Sequence, residues 1–192
     1  MKRVLALSIS AIALTPVAAH AHIGAGDLHY HLTAFAHPFG GLDHLVIALL
    51  VGIYAAWLGG RALWALPTTF VAAMAVGIGL GAAGLVPPGV AIGIMLSMVL
   101  LGAMLAMGPS LRLAHILPAV AAAGVFHGLA HGSELAAGGA QLSVAAAALG
   151  GSRVLHALGI STLVLLDSNV RRLATIVSGA AAILAGVSLL LA

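Results

Sequence analysis

His37-Pro38-Phe39-Gly40-Gly41-Leu42-Asp43-His44 opens the first long apolar run after the N-terminal leader, and the uncharged stretch Leu45 to Leu58 follows it directly. About four helical turns without a charge read as a membrane-spanning helix. Pro38 suits the first helical turn, where its missing N–H leaves no bond unmade. With the helix starting there, His37 and His44 are nearly two turns apart and face the same way. Asp43 lies about 100° round from His44, close enough to reach the same ligand or to orient an imidazole. Two imidazoles and a carboxylate at the mouth of a lipid-embedded helix require a reason.

Composition decides the class. Of 192 residues, 62% are hydrophobic and only 6% charged, where a soluble domain carries about 25% charged residues. Such a chain is an integral membrane protein. A closed β-barrel needs alternating apolar and polar positions; here the apolar runs are continuous and rich in Ala, Leu and Gly. The expected fold is therefore all-α, a polytopic transmembrane helix bundle. The pI near 10.2 rests on arginines scattered over loops, and no basic cluster with interleaved aromatics points to nucleic acid. With no cysteine, any metal must be held by imidazole, carboxylate, thioether or backbone oxygen. The only lysine is Lys2, so a phosphate-binding loop is excluded and the chain does not itself use ATP. No prosthetic group is expected.

Residues 1–21 read as a cleavable signal peptide: Lys2 and Arg3, an apolar core from Val4 to Leu14, then Ala19-His20-Ala21 as the cleavage site. The alternative, an uncleaved first span, suffers from that core being short. The mature domain, 22–192, begins with a polar segment carrying His22, His29, His31 and Asp27, either a solvated tail or a metal-gathering arm. Six spans follow, at about 39–59, 62–84, 89–108, 113–132, 140–166 and 172–191. Spaced glycines, Gly77/Gly81 and Gly89/Gly93, suit close helix contact, and Pro67 and Pro118 lie one turn into their spans, where a bend is expected. With residue 22 outside, Arg61, Arg112, Arg171 and Arg172 fall in inside loops, whereas the loops at 85–88 and 133–139 carry no Lys or Arg. The positive-inside rule thus agrees with the signal peptide. Both place a multi-pass protein in the bacterial inner (cytoplasmic) membrane with mature termini in the periplasm. The choice between monomer and homo-oligomer stays open.

That topology brings a second set of side chains to the outer side. Span four ends in Phe126-His127-Gly128-Leu129-Ala130-His131-Gly132-Ser133-Glu134, where His127 and His131 form an i, i+4 pair and Glu134 continues their face. A single histidine in such a helix reads most simply as a hydrogen-bonded packing residue. An ionisable residue near the bilayer centre, however, costs on the order of 2.5–3.5 kcal/mol, and several gathered at one depth imply a divalent metal. Span five adds Arg153 and His156, expected on one face near mid-membrane. Arg153 needs a carboxylate, and an ion pair with Asp43 or Glu134 is the natural expectation. His156, followed by Gly159, is either an accessory metal ligand deeper along a path or a packing residue. His115 reads as structural or interfacial, and Met95, Met98, Met104 and Met107 as core filler.

His37-Pro-x-x-Gly-x-Asp43-His44 on the first span, with Phe126-His127-Gly-x-Ala-His131-Gly-x-Glu134 on the fourth, resembles the HupE/UreJ family of nickel/cobalt permeases. The resemblance spans the mature chain and both motifs in order. It implies uptake of Ni²⁺ or Co²⁺ as transported substrate, with His37, Asp43, His44, His127, His131 and Glu134 as the metal-handling positions. The chemistry is consistent, since borderline cations favour imidazole with carboxylate while Mg²⁺ and Ca²⁺ prefer all-oxygen sites. Membrane potential suffices as a driving force, because an inward-moving dication gains about 4.6 kcal/mol per 100 mV. Two rivals remain open. One is an intramembrane zinc-dependent hydrolase with Glu134 as general base; the other is a sensor or accessory subunit of a metal importer.

Overall fold

The computed structural model describes residues 41–108, 111–138 and 142–191. Residues 1–21, expected to be a signal peptide, and the sequence candidates His22, His29, His31 and His37 lie outside them. The described residues form six helices and no strand: α1 (Leu42–Leu58), α2 (Ala62–Ala82), α3 (Val90–Ala106), α4 (Leu113–Gly138), α5 (Leu142–Val164) and α6 (Ser168–Leu191). Four of them, α2, α4, α5 and α6, are long and apolar enough to cross a membrane. The other two are apolar but have 17 residues each, about 25 Å at 1.5 Å per residue against a hydrocarbon core of about 30 Å. Large apolar side chains stand on the outside, among them Trp64, Val76, Ile92, Leu100, Leu165 and Leu184. That is the surface a helix bundle presents to lipid rather than to water.

Helix ends follow local chemistry. Gly59 and Gly60 both have positive φ, which lets α1 turn sharply into α2 without a Cβ clash. Gly89, expected to be a packing glycine, caps α3 at φ 85° with open space around it; its role is the turn. Its partner Gly93 does pack, against the Phe126 ring. Two boundaries differ from expectation. Helix α4 runs on to Gly138, since nothing from Ser133 to Ala137 breaks it, so Glu134 stays helical. Helix α6 starts at Ser168 because the Asp167 carboxylate accepts a hydrogen bond from the Val170 N–H (3.1 Å), a cap that satisfies an otherwise orphaned donor. Arg171 therefore sits in the first turn of α6 and donates to the Val164 and Leu166 carbonyls, both at 3.3 Å.

Close helix pairs build the bundle. In α2 and α4, which run parallel, Gly77 and Gly81 meet Gly128 and Gly132, and Gly124 meets the backbone of Phe70. A Cβ at any of these would strike backbone atoms, so small residues spaced by four set the approach. Parallel α1 and α5 lock where Gly52 faces His156 and Gly159 faces Leu49. Antiparallel α3 and α6 meet at Gly102 and Gly179. Between them lies a buried apolar core that includes Ile47, Leu50, Tyr54, Leu66, Phe70, Met74 and Met98. The Tyr54 hydroxyl finds its acceptor in the Met104 carbonyl (3.3 Å), so Met104 serves through its backbone.

Candidate metal site

The α1–α5 and α2–α4 contacts bring the first turn of α1, the last turns of α4 and the middle of α5 to one level. His44 stands at their meeting point. Its Nε2 lies 3.0 Å from the Ser152 hydroxyl of α5, and its Nδ1 lies 3.2 Å from Nε2 of His131 on α4. The ring of His44 also packs edge-on against His131 (5.0 Å between centroids) and against His127 (5.4 Å). His131 and His127, one turn apart on α4, thus both reach the same imidazole of α1. Ser152 donates to the Ala148 carbonyl at 3.0 Å and touches the Met74 sulfur at 3.6 Å, tying α2 and α5 into the same layer.

The cluster grades from surface to interior. The Glu134 side chain is 61% exposed and holds its carboxylate 3.5 Å from Nδ1 of His131, which is 12% exposed. His44 follows at 4%, His127 at 2% and His156 at 1%. Asp43, in the first turn of α1, places a carboxylate at a helix N-terminus, where the dipole favours negative charge. The sequence-predicted residues Asp43, His44, His127, His131 and Glu134 therefore occupy one end of the bundle. Among the described residues, no group of three or more His, Asp or Glu is arranged to hold one ion. The closest approach in the cluster is between Nδ1 of His44 and Nε2 of His131, two nitrogens 3.2 Å apart at hydrogen-bond distance.

Span five departs from its reading. His156 is buried against α1, donating Nδ1–H to the Ala48 carbonyl at 2.8 Å. Arg153 lies on the exposed side of the same helix with Val154, Ala157 and Leu158. Three residues subtend about 300° on a helix, and the edge of the buried stripe falls between the two. Among the described residues Arg153 makes no ion pair with Asp43 or Glu134. Ser152 and Phe70 were not singled out as site residues. Ser152 sits four residues before His156, a spacing that could have shown it; Phe70 is one apolar residue among many and gave no signal. His115 is exposed towards the opposite end of α4.

Comparison with known proteins places the chain in a family. The family described as HupE / UreJ protein matches residues 10–189. Protein HupE of Rhizobium leguminosarum bv. viciae is 36% identical over 185 residues, covering 95% of this chain and 95% of that protein. No solved structure matches the chain. Matched along nearly its whole length by the family and by this relative, the chain belongs to the HupE/UreJ family.

Proposed function

We propose that the chain is a secondary permease or facilitator that carries Ni²⁺ or Co²⁺ through six spans into the cytoplasm, entering through the histidine and carboxylate cluster between α1 and α4. The observation that carries this reading is His44, a buried imidazole within hydrogen-bond distance of His131 on one helix and Ser152 on another. Ionisable side chains at membrane depth are expensive unless they serve a path. Here Glu134, His131, His44 and His127 follow one another from an exposed carboxylate to a buried ring. Glu134 and Asp43 attract the dication and offset part of its charge as hydration water leaves. His131, His44 and His127 then exchange that water for nitrogen ligands, which select borderline cations over Mg²⁺ and Ca²⁺. His37, with its motif position two turns before His44, completes the entry site in this reading, and His22, His29 and His31 gather ions ahead of it.

A pair of imidazoles rather than a closed shell of four ligands suits a substrate that must leave again, because conduction needs binding strong enough to enter and weak enough to release. Cellular accumulation of radioactive nickel and cobalt tests the proposal in cells deficient in metal uptake. The chain expressed alone should restore accumulation, and His37→Ala and His44→Ala should abolish it at equal expression. A zinc hydrolase or an accessory subunit would leave accumulation at the background level with the wild-type chain, and that result would sink the permease reading.

A further inference from the structure

His127 and His156 are built alike. Each donates Nδ1–H to a carbonyl at 2.8 Å, of Ala123 for the first and Ala48 for the second. A carbonyl oxygen can only accept, so in each neutral ring the proton stays on Nδ1 and the lone pair is on Nε2. Both Nε2 atoms are buried without any hydrogen-bond partner. Buried polar atoms in helix bundles are nearly always matched, and two of the same kind left open in one region call for an account. An imidazole whose outer nitrogen is tied to a carbonyl and whose inner nitrogen is open is the form in which histidine binds a metal.

Both rings pack against one side chain. Phe70, fully buried on α2, sits 5.7 Å from His127 with the rings tilted at 54°, and 5.2 Å from His156 with the rings at 88°. His156 is one helical turn beyond Ser152, the residue that contacts His44, and so lies deeper than the entry cluster. Its backbone is clamped by Gly52, where no larger residue fits against α1, and its hydrogen bond to the Ala48 carbonyl orients the ring.

We propose that His156 is an inner relay site for the transported dication, which it receives from His127, with the Phe70 ring as the gate between them. The inference rests on the permease reading above and extends it one step inward. A single protein nitrogen, with the remaining positions filled by water the ion brings, makes a site from which the ion can depart. The Phe70 ring offers no ligand and packs against both imidazoles; in this proposal the ion passes from one to the other when that ring swings aside. An apolar constriction of this kind also holds back strongly hydrated cations.

Two readouts on purified protein test it: Ni²⁺ entry into proteoliposomes containing a chelating dye, and Ni²⁺ binding in detergent by calorimetry. His156→Ala should keep the wild-type Ni²⁺ affinity of the entry site and lose at least about tenfold in uptake. His44→Ala should lose both. Phe70→Ala should admit Mg²⁺ at least several-fold faster than the wild type; a variant as closed to Mg²⁺ as the wild type overturns the gate. If His156→Ala transports at the wild-type rate while His44→Ala does not, the relay is wrong and the permease reading survives. If neither change affects uptake, the permease reading itself fails. Should His156→Ala not fold, His156→Cys replaces it, because a thiolate prefers softer ions. A several-fold rise in Cd²⁺ over Ni²⁺ uptake then shows that position 156 touches the ion, and an unchanged ratio shows that it only packs.

Discussion

Gly52→Ala is the substitution whose consequences the structure sets most tightly. A Cβ at residue 52 would lie 3.0 Å from both the carbonyl carbon and the Cα of His156, and closer still to its carbonyl oxygen. These are backbone atoms, so no side chain can move to make room. Carbon contacts settle at about 3.5–4.0 Å, and α1 and α5 would have to part by about 1 Å. Two hydrogen bonds cross that interface, His44 to Ser152 at 3.0 Å and His156 to the Ala48 carbonyl at 2.8 Å. Stretched by about 1 Å, both pass the limit of about 3.5 Å beyond which little remains. Hydrogen bonds between membrane helices contribute about 0.6 kcal/mol on average and up to about 1.7, and overpacking costs about 1–3 kcal/mol. The sum is a loss of about 2–6 kcal/mol in stability, together with displacement of the entry cluster. Equilibrium unfolding in mixed micelles, followed by tryptophan fluorescence, measures the first and nickel uptake the second. Gly79→Ala supplies the control, since Gly79 is helical with nothing within 4 Å of its would-be Cβ, and it should be neutral or up to about 1 kcal/mol more stable. A Gly52→Ala protein with wild-type stability and uptake would refute the helix contact on which the site depends.

Ser152→Ala removes the hydroxyl beside Nε2 of His44 and should lower nickel affinity by about tenfold with little change in expression; calorimetry checks it. Uptake should weaken as the medium is acidified, because a proton and the metal compete for the same imidazole lone pairs; a rate that acidification leaves unchanged until the protein itself unfolds would count against histidine ligation. Arg153→Leu should leave uptake intact, since Arg153 faces outward, and should ease insertion of α5 by about 2.5–3.5 kcal/mol in a translocon assay. Loss of uptake at normal expression would instead place Arg153 in the path.

Much of this was legible in the residues themselves. Continuous apolar runs punctuated by Gly59-Gly60 and Pro87-Pro88-Gly89 marked the helices to within a few residues, and the Gly77/Gly81 spacing marked a helix contact. The paired motifs around His44 and His131 indicated that α1 and α4 would meet at one depth, and they do. What stayed hidden depended on rotation and on partners. Arg153 and His156 fall on opposite sides of the boundary between lipid and protein, a distinction of about 60° around α5 that spacing alone does not resolve. Helix α4 extends past Gly132 because no breaker intervenes, which keeps Glu134 one turn from His131. Phe70 could not be recognised as the ring packed against two histidines because it resembles every other apolar residue in the core.

The central claim is that imidazole nitrogens of this cluster bind the cation on its way through. X-ray absorption at the nickel edge, on purified protein loaded with one equivalent of Ni²⁺, observes that contact. The account predicts imidazole scattering from at least two rings, reduced in His44→Ala. A shell of oxygen alone, or a spectrum indifferent to His44→Ala, would contradict it.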